Sequence, residues 1–203
     1  MNPTDATVLQ AIALGSVLAW ASGIRLYLVV FVAGLAARYG YLDLPEGLKV
    51  LGHTYVLVAA GILLAVEFFA DKIPGLDSAW DAVHTFIRIP AGALLAAGAV
   101  GGEDHAALTI AAGLIGGTIT AGTHFTKAGG RAVINTSPEP FSNWVASFTE
   151  DALVLGGVWF AVQHPVAFLV ALAIFLALAA WFLFTFARFV RARFTRTAPA
   201  ASG

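Results

Sequence analysis

The sequence predicts an all-α fold, a polytopic transmembrane helical bundle of about six crossings with a broken first segment and a two-fold helix–loop–helix internal repeat. Three observations predict it. Hydrophobic residues make up 59% of the chain and charged ones only 11%, with a mean hydropathy of +0.84. Apolar stretches near the ~20 residues that a spanning helix needs recur along the whole length. One of them is too long for a single upright crossing and carries a Ser-Gly step beside an arginine. A soluble domain has roughly a quarter charged residues, so a water-exposed fold of 203 residues could not hide this much apolar surface.

The stretches are Thr7–Tyr39, Tyr55–Lys72, Ser78–Val100, Ala106–Lys127, Asn143–Val162 and Pro165–Val190. The first would be roughly 50 Å long if continuous. Its middle reads Trp20-Ala21-Ser22-Gly23-Ile24-Arg25, which predicts a break at Ser22-Gly23. Two arrangements follow: one long crossing, or two short arms that put the N-terminus outside and Arg25 among the cytoplasmic charges. The second stretch ends on Glu67 and Asp71, four apart and so on one helical face. The third follows Pro74-Gly75-Leu76 with Asp77 or Ser78 as N-cap, and Ser78 with Asp81 resembles a capping box. Asp77, Asp81, His84 and Arg88 share one face of that helix, and Pro90 predicts a second irregularity.

Gly113-x-x-x-Gly117 in the fourth stretch is a close-packing signature, for a central helix or a dimer face. His124, Lys127 and Arg131 end that stretch, and Lys127-Ala128-Gly129-Gly130-Arg131 reads as a flexible basic loop able to cradle an anion, or as a plain helix stop. The fifth helix follows the turn Asn135–Pro140 and carries Asn143, Ser147 and Glu150 on one stripe, with Asp151 beside it. Either Glu150 lies inside the membrane or that helix is abbreviated. The sixth stretch has no buried polar group and faces lipid.

Gly61…Ala65…Phe69-Ala70-Asp71 aligns with Gly117…Ala121…Phe125-Thr126-Lys127, and Pro74…Trp80 with Pro138…Trp144. Residues 1–190 therefore read as one transmembrane domain with pseudo-repeats at about 55–101 and 106–163, followed by a basic, disordered cytoplasmic tail at 191–203. Lys72, Arg88, Lys127, Arg131, Arg188, Arg191, Arg193 and Arg196 fall on one side, against Arg38 and Lys49 on the other. Basic residues mark the cytoplasmic side, so the expectation is a multi-pass protein of the cell inner membrane with its C-terminus in the cytoplasm.

Charged side chains at membrane depth are costly and persist where they face one another or a wet cavity. The candidate substrate- or ion-binding set is Arg25, Glu67, Asp71, Asp77, Asp81, His84, Arg88, His124, Lys127, Arg131, Asn143, Glu150 and Asp151. If the halves pack together, Asp71 of the first meets Lys127 of the second. The set is then either a structural ion-pair network or a site that binds a cation or exchanges a proton.

Cysteine is absent, which excludes thiol chemistry and Cys-ligated metals, and a net charge of −1 describes no nucleic-acid surface. No His pair stands at metal-ligand spacing, so neither a metal nor a cofactor is expected. No hydrolase motif is present, which argues against an enzyme. The partners implied are the lipid bilayer and a small ion or anionic solute, with self-association left open.

The segments Ala21–Arg25, Glu67-Phe68-Phe69-Ala70-Asp71-Lys72-Ile73-Pro74, and Lys127 to Asn143 with Asn135-Thr136-Ser137-Pro138-Glu139-Pro140 carry a further signal. Through them the chain, up to about Arg188, resembles a bacterial membrane family catalogued as domain of unknown function 4126. The resemblance implies a compact helical inner-membrane protein and brings no activity or site residues. The residues themselves point to a small transporter or channel-like permease. The alternatives are a protein binding a phosphorylated lipid head group at Lys127–Arg131, or a non-catalytic membrane assembly subunit.

Overall fold

The structure, a computed structural model, describes residues 3–101, 106–136 and 140–195. His105, the Ser137-Pro138-Glu139 part of the expected turn and the tail from Arg196 lie outside them. Six α-helices appear: α1 Pro3–Arg38, α2 Thr54–Ala70, α3 Leu76–Val100, α4 Ala106–Ile134, α5 Pro140–Gln163 and α6 Pro165–Thr195, with a 3-10 helix at Glu46–Gly52 before α2. Each expected stretch is a helix. All except α2 are long and apolar enough to cross a membrane, and α2 reaches that standard together with the 3-10 helix, from which it is bent by 66°. The chain is thus an all-α, polytopic membrane bundle.

Several boundaries differ from expectation. Helix α4 continues seven residues past Lys127 to Ile134, so Lys127–Arg131 is helical and not a loop. Gly129 is held there by Phe182 of α6, whose ring would lie 3.1 Å from an added Cβ. Helix α6 includes Arg191 and Arg193, which shortens the expected tail to begin no earlier than 196. Helix α3 runs straight through Pro90, and begins at Leu76 after a left-handed Gly75 (φ 83°). No capping box forms: Asp77 Oδ1 accepts the backbone N–H groups of Gly75 and Ser78, while Asp81 turns inward to Arg88.

The break in α1 falls at Arg25 (φ −144°, ψ 78°), two residues after the expected Ser22-Gly23 step. Gly23 serves contact instead: a Cβ there would stand 2.7 Å from the Thr120 carbonyl oxygen, so α1 and α4 meet backbone to backbone. Before the break the chain runs alongside α4. Ile12 and Gly15 border a pocket with Val100 and Leu108, and the Ala19 carbonyl accepts the Thr120 hydroxyl at 2.8 Å. After it the chain turns back along α2. Phe31 lies on Gly61, and Gly34 abuts the Leu51 carbonyl at a distance no side chain would permit.

Both ends of α1 therefore lie at the same end of the bundle, with the starts of α2 and α4 and the ends of α3 and α5. Thr7 and Gln10 share a pocket with Leu42, Pro45 and Val162 there. Helix α1 is a hairpin with Arg25 at its tip, the second of the two arrangements. It is also the core: 83% of its spanning window is buried, against 17–33% in the other four spanning helices. Gly113 and Gly117 pack on Ala93 and Ala97 of α3, so this motif serves internal packing and not a dimer face.

The hairpin places Gln10 and Tyr41 on one side of the membrane and Thr136 on the other. Because the chain has no cysteine, single Gln10→Cys, Tyr41→Cys and Thr136→Cys proteins can be labelled with an impermeant maleimide in sealed vesicles. The first two are expected to react from the same side and the third from the opposite one. Opposite reactivity of Gln10→Cys and Tyr41→Cys would mean a single long crossing.

Candidate functional site: a buried ionic cluster

Five helices deliver charge to the end of the bundle opposite the α1 termini. Helix α2 ends with Glu67 and Asp71, acids at a C-terminus where the helix dipole disfavours them, so cations must be supplied from elsewhere. Helix α3 brings Asp77, Asp81, His84 and Arg88 on its buried face, one per turn. The last turns of α4 bring Lys127 and Arg131, the favourable sign for that end. Helix α5 adds Asn143, Ser147, Glu150 and Asp151, and the tip of α1 adds Arg25. Arg25, Glu67, Asp71, Asp77, Arg88, Asn143 and Ser147 are 0% exposed.

Asp71 and Lys127, aligned in the two halves of the sequence, meet at 3.1 Å. Arg25 pairs with Asp71 and reaches Asp151 at 3.0 Å and Glu150 at 3.5 Å, while also donating to the Ser147 hydroxyl at 2.6 Å. Arg88 bridges Glu67 and Asp81, the latter at 2.7 Å. Lys127 lies 3.3 Å from Asp81 and 3.5 Å from Glu150, and donates to the Ile24 carbonyl beside the break in α1. Arg131 holds Glu150 at 2.9 Å and donates to the carbonyls of Asp71 and Asn143 and to the Asn143 side chain, with Asp77 farther off at 3.9 Å.

The two histidines stand at the edge of the cluster and do not join each other. His84 Nδ1 lies 2.8 Å from the Trp80 carbonyl and so carries the proton, which leaves Nε2 to accept from the Tyr27 hydroxyl at 3.1 Å. His124 Nδ1 faces Arg88 at 3.3 Å and accepts from it, while Nε2 donates to Thr85 Oγ1 at 2.7 Å. Thr85 in turn donates to the Asp81 carbonyl at 3.0 Å. Every residue of the candidate set except His84 thus belongs to one connected network, and His84 stands beside it, joined to Tyr27 and the Trp80 carbonyl. Thr85 and Asn135 belong to it without having been expected, and Tyr27 pairs with His84 beside it. Asn135 donates to both oxygens of Asp77 and accepts from Asn143. Tyr27 could have been suspected as a hydroxyl two residues from Arg25 in an apolar run; Thr85 and Asn135 carry no distinguishing pattern.

The ion pairs join four cations, Arg25, Arg88, Lys127 and Arg131, to six carboxylates, Glu67, Asp71, Asp77, Asp81, Glu150 and Asp151. Fully ionised, this set carries two surplus negative charges, or one if Lys72, hydrogen-bonded to Ser147 at the rim, is included. Glu67 Oε2, Asp71 Oδ1, Asp81 Oδ2 and Glu150 Oε2 are buried and accept no hydrogen bond among the described residues. The most exposed members are also acids, Glu150 at 14% and Asp151 at 22% of the side chain. Buried donors, Arg88 Nε and Arg131 Nη2 among them, also lack a hydrogen-bond partner among the described residues, so what suits the cluster to take up positive charge is the excess of acids at its partly exposed edge. A phosphate at Lys127–Arg131 fits poorly: the backbone N–H groups of that segment serve a helix, and both cations are already matched by Asp71 and Glu150.

Removing one partner of a buried pair leaves an uncompensated charge, at a cost of about 3–5 kcal/mol. Arg88→Met, which strips the cation shared by Glu67 and Asp81, is expected to lower stability by that order in denaturant unfolding from detergent micelles. Lys49→Ala, which breaks only the exposed pair with Glu46, is expected to leave the transition unchanged. Equal effects of the two would contradict the burial assigned to Arg88.

No curated protein and no solved structure is significantly similar to the chain. Residues 12–185 match the profile of the family described as domain of unknown function 4126, which takes in the α1 tip and the whole cluster. With most of its length and every residue of the cluster inside that match, the chain belongs to the family of domain of unknown function 4126.

Proposed function

We propose that the protein is a small integral membrane permease that moves a proton or small cation, with the ionic cluster as the group that takes it up. The observation carrying this reading is the excess of carboxylates over cations in the ion-pair network, six against four, with the partly exposed Glu150 and Asp151 as the acids beyond the balanced buried set. Uncompensated charge in a low-dielectric interior costs several kcal/mol, and a network built only to fix helix register would be stable if neutral. A proton or small cation shared among Glu67, Asp71, Asp81 and Glu150 removes one of the two surplus charges, and Lys72 at the rim offsets the other. The carboxylates face basic side chains, with Lys127 among Asp71, Asp81 and Glu150 and Arg88 between Glu67 and Asp81, and no three acidic or histidine side chains among the described residues form a metal-holding group. That distribution favours a proton.

The route is readable on one side. Asp77, Asp81 and Arg88 form a ladder along α3 that climbs roughly 16 Å from the charged end toward mid-bundle. Beyond Arg88 the packing is of small apolar residues, Gly15 against Ala96 and Ala99 and Gly47 against Gly98, which closes the path in this conformation. Conduction then requires the α1 hairpin to shift, and irregular helices at membrane depth commonly line such paths. We place the charged end and the C-terminus in the cytoplasm of a bacterial cell, across the inner membrane. Lys72, Lys127, Arg131, Arg188 and Arg191 gather at that end, joined by Arg25, against Arg38 and Lys49 at the other.

Purified protein in liposomes with a trapped pH dye and an imposed potential is expected to pass protons, and the combined Glu67→Gln, Asp71→Asn, Glu150→Gln protein to lose at least tenfold of that flux. Wild-type flux that is absent for protons and alkali cations, or unchanged in the triple variant, would leave the cluster as an assembly element.

A further inference from the structure

The ionic cluster is partly open along α5, where Glu150 and Asp151 keep 14% and 22% of their side chains exposed. Helices α4 and α5 scarcely touch. The gap between them is a pocket of about 190 Å³ bordered by Ile24, Thr123, Lys127, Ile134 and Glu150 and floored by Leu153 and Phe175. Leu153 and Phe175 also line a second pocket, of about 370 Å³, that continues between α5 and α6 over Trp20, Phe160 and Phe168. The two form a single lane. It follows α4 from Ile134 to Thr123, roughly 16 Å, and then α5 from Leu153 to Phe160, roughly 10 Å. Together these approach the ~30 Å thickness of a bilayer's hydrocarbon core.

Two glycines single the lane out. Glycine is the poorest helix former after proline, and in this bundle helical glycines stand where helices touch. Every other glycine in the described α-helices has an atom of another residue within 4 Å of where its Cβ would be. Gly130 and Gly156 have none. Gly130 lines the first pocket and Gly156 the second. Helix packing accounts for neither, whereas a groove kept open for an occupant accounts for both.

We propose that this lane holds one hydrocarbon chain of a bilayer lipid, laid along α5 as the missing wall of the ionic cluster. The second pocket is lined by aliphatic and aromatic residues and the first presents mostly apolar surface, with Lys127 and Glu150 at its edge, and an apolar cleft does not hold ordered water. The flanking faces of α5 and α6 are apolar and outward, with Trp159 63% and Val170 57% exposed, so hydrocarbon is what meets them in a membrane. A helix of a second copy would not fill the lane, because a helix with its side chains is about 10–12 Å across and the two pockets enclose only about 190 and 370 Å³. The chain would cover Glu150, the partly open edge of the cluster, and shield the carboxylates from the side. This holds whether or not the cluster conducts.

Trp20 reports on the lane. It is 9% exposed and sits edge-on to Phe168 and Phe175 at its floor. With Trp80, Trp144, Trp159 and Trp181 replaced by Phe, the protein would be reconstituted in phosphatidylcholine vesicles with brominated or plain acyl chains, bromine quenching indole fluorescence on contact. Brominated chains are expected to quench Trp20 at least twofold. Gly156→Leu, for which the backbone leaves room, should remove most of that quenching, and Gly156→Ala should retain it. Trp20 unquenched in the Gly156 protein, as when a second copy covers the groove, overturns the proposal, and so does equal quenching in Gly156→Leu. Should the tryptophan-stripped chain not fold, native mass spectrometry of the otherwise unmodified protein decides. Gly156→Leu is expected to retain fewer lipids, and equal retention overturns the proposal.

Discussion

A guanidinium with no access to solvent, at the tip of a helical hairpin, is the constraint on which this bundle depends. Arg25 is 0% exposed, and its charge can be tolerated there only because Asp71, Glu150 and Asp151 arrive from α2 and α5 to meet it. Those carboxylates would in turn be intolerable without Lys127 and Arg131 from α4. The backbone break at Arg25 and the ionic cluster are therefore one feature. The chain reverses where it carries a charge, and the reversal delivers that charge to the carboxylates of α2 and α5.

The hairpin also explains how so small a bundle encloses a polar interior. Its arms occupy the centre, where small side chains and glycines let α3 and α4 approach, and the outer helices turn mostly apolar faces outward. Gly23 against the Thr120 carbonyl and Gly34 against the Leu51 carbonyl mark where that approach reaches backbone contact. One half of the interior is consequently tight and apolar, the other ionic and incompletely hydrogen-bonded. Among the described residues, the gap between α4 and α5 is one of the weak parts of the enclosure.

Much of this was readable before any coordinates. Composition and the recurrence of long apolar stretches identified six helices, and the spacing of Asp77, Asp81, His84 and Arg88 placed them on one face, because a helical period converts sequence interval into direction. The complementary signs of the two halves identified Asp71 with Lys127. Local signals misled where tertiary contact outweighed them. Gly129-Gly130 looked like a helix stop, yet α4 passes through it, held by Phe182 and by the need to aim Arg131 at Glu150. Ser78 with Asp81 looked like a cap, yet Asp81 serves Arg88. Pro90 looked like an interruption and was absorbed by the helix.

By itself, the sequence determined that the chain is a helical membrane bundle and which ionisable groups lie within it, since hydropathy and helical periodicity are properties of neighbouring residues. Only the tertiary structure decided that α1 turns back on itself, that the carboxylates outnumber the cations around one buried point, and that two helical glycines open onto a shared lane. Each depends on distances between residues tens of positions apart. Burial, which sets the cost of a charge, is a property of the assembled bundle and of no segment within it.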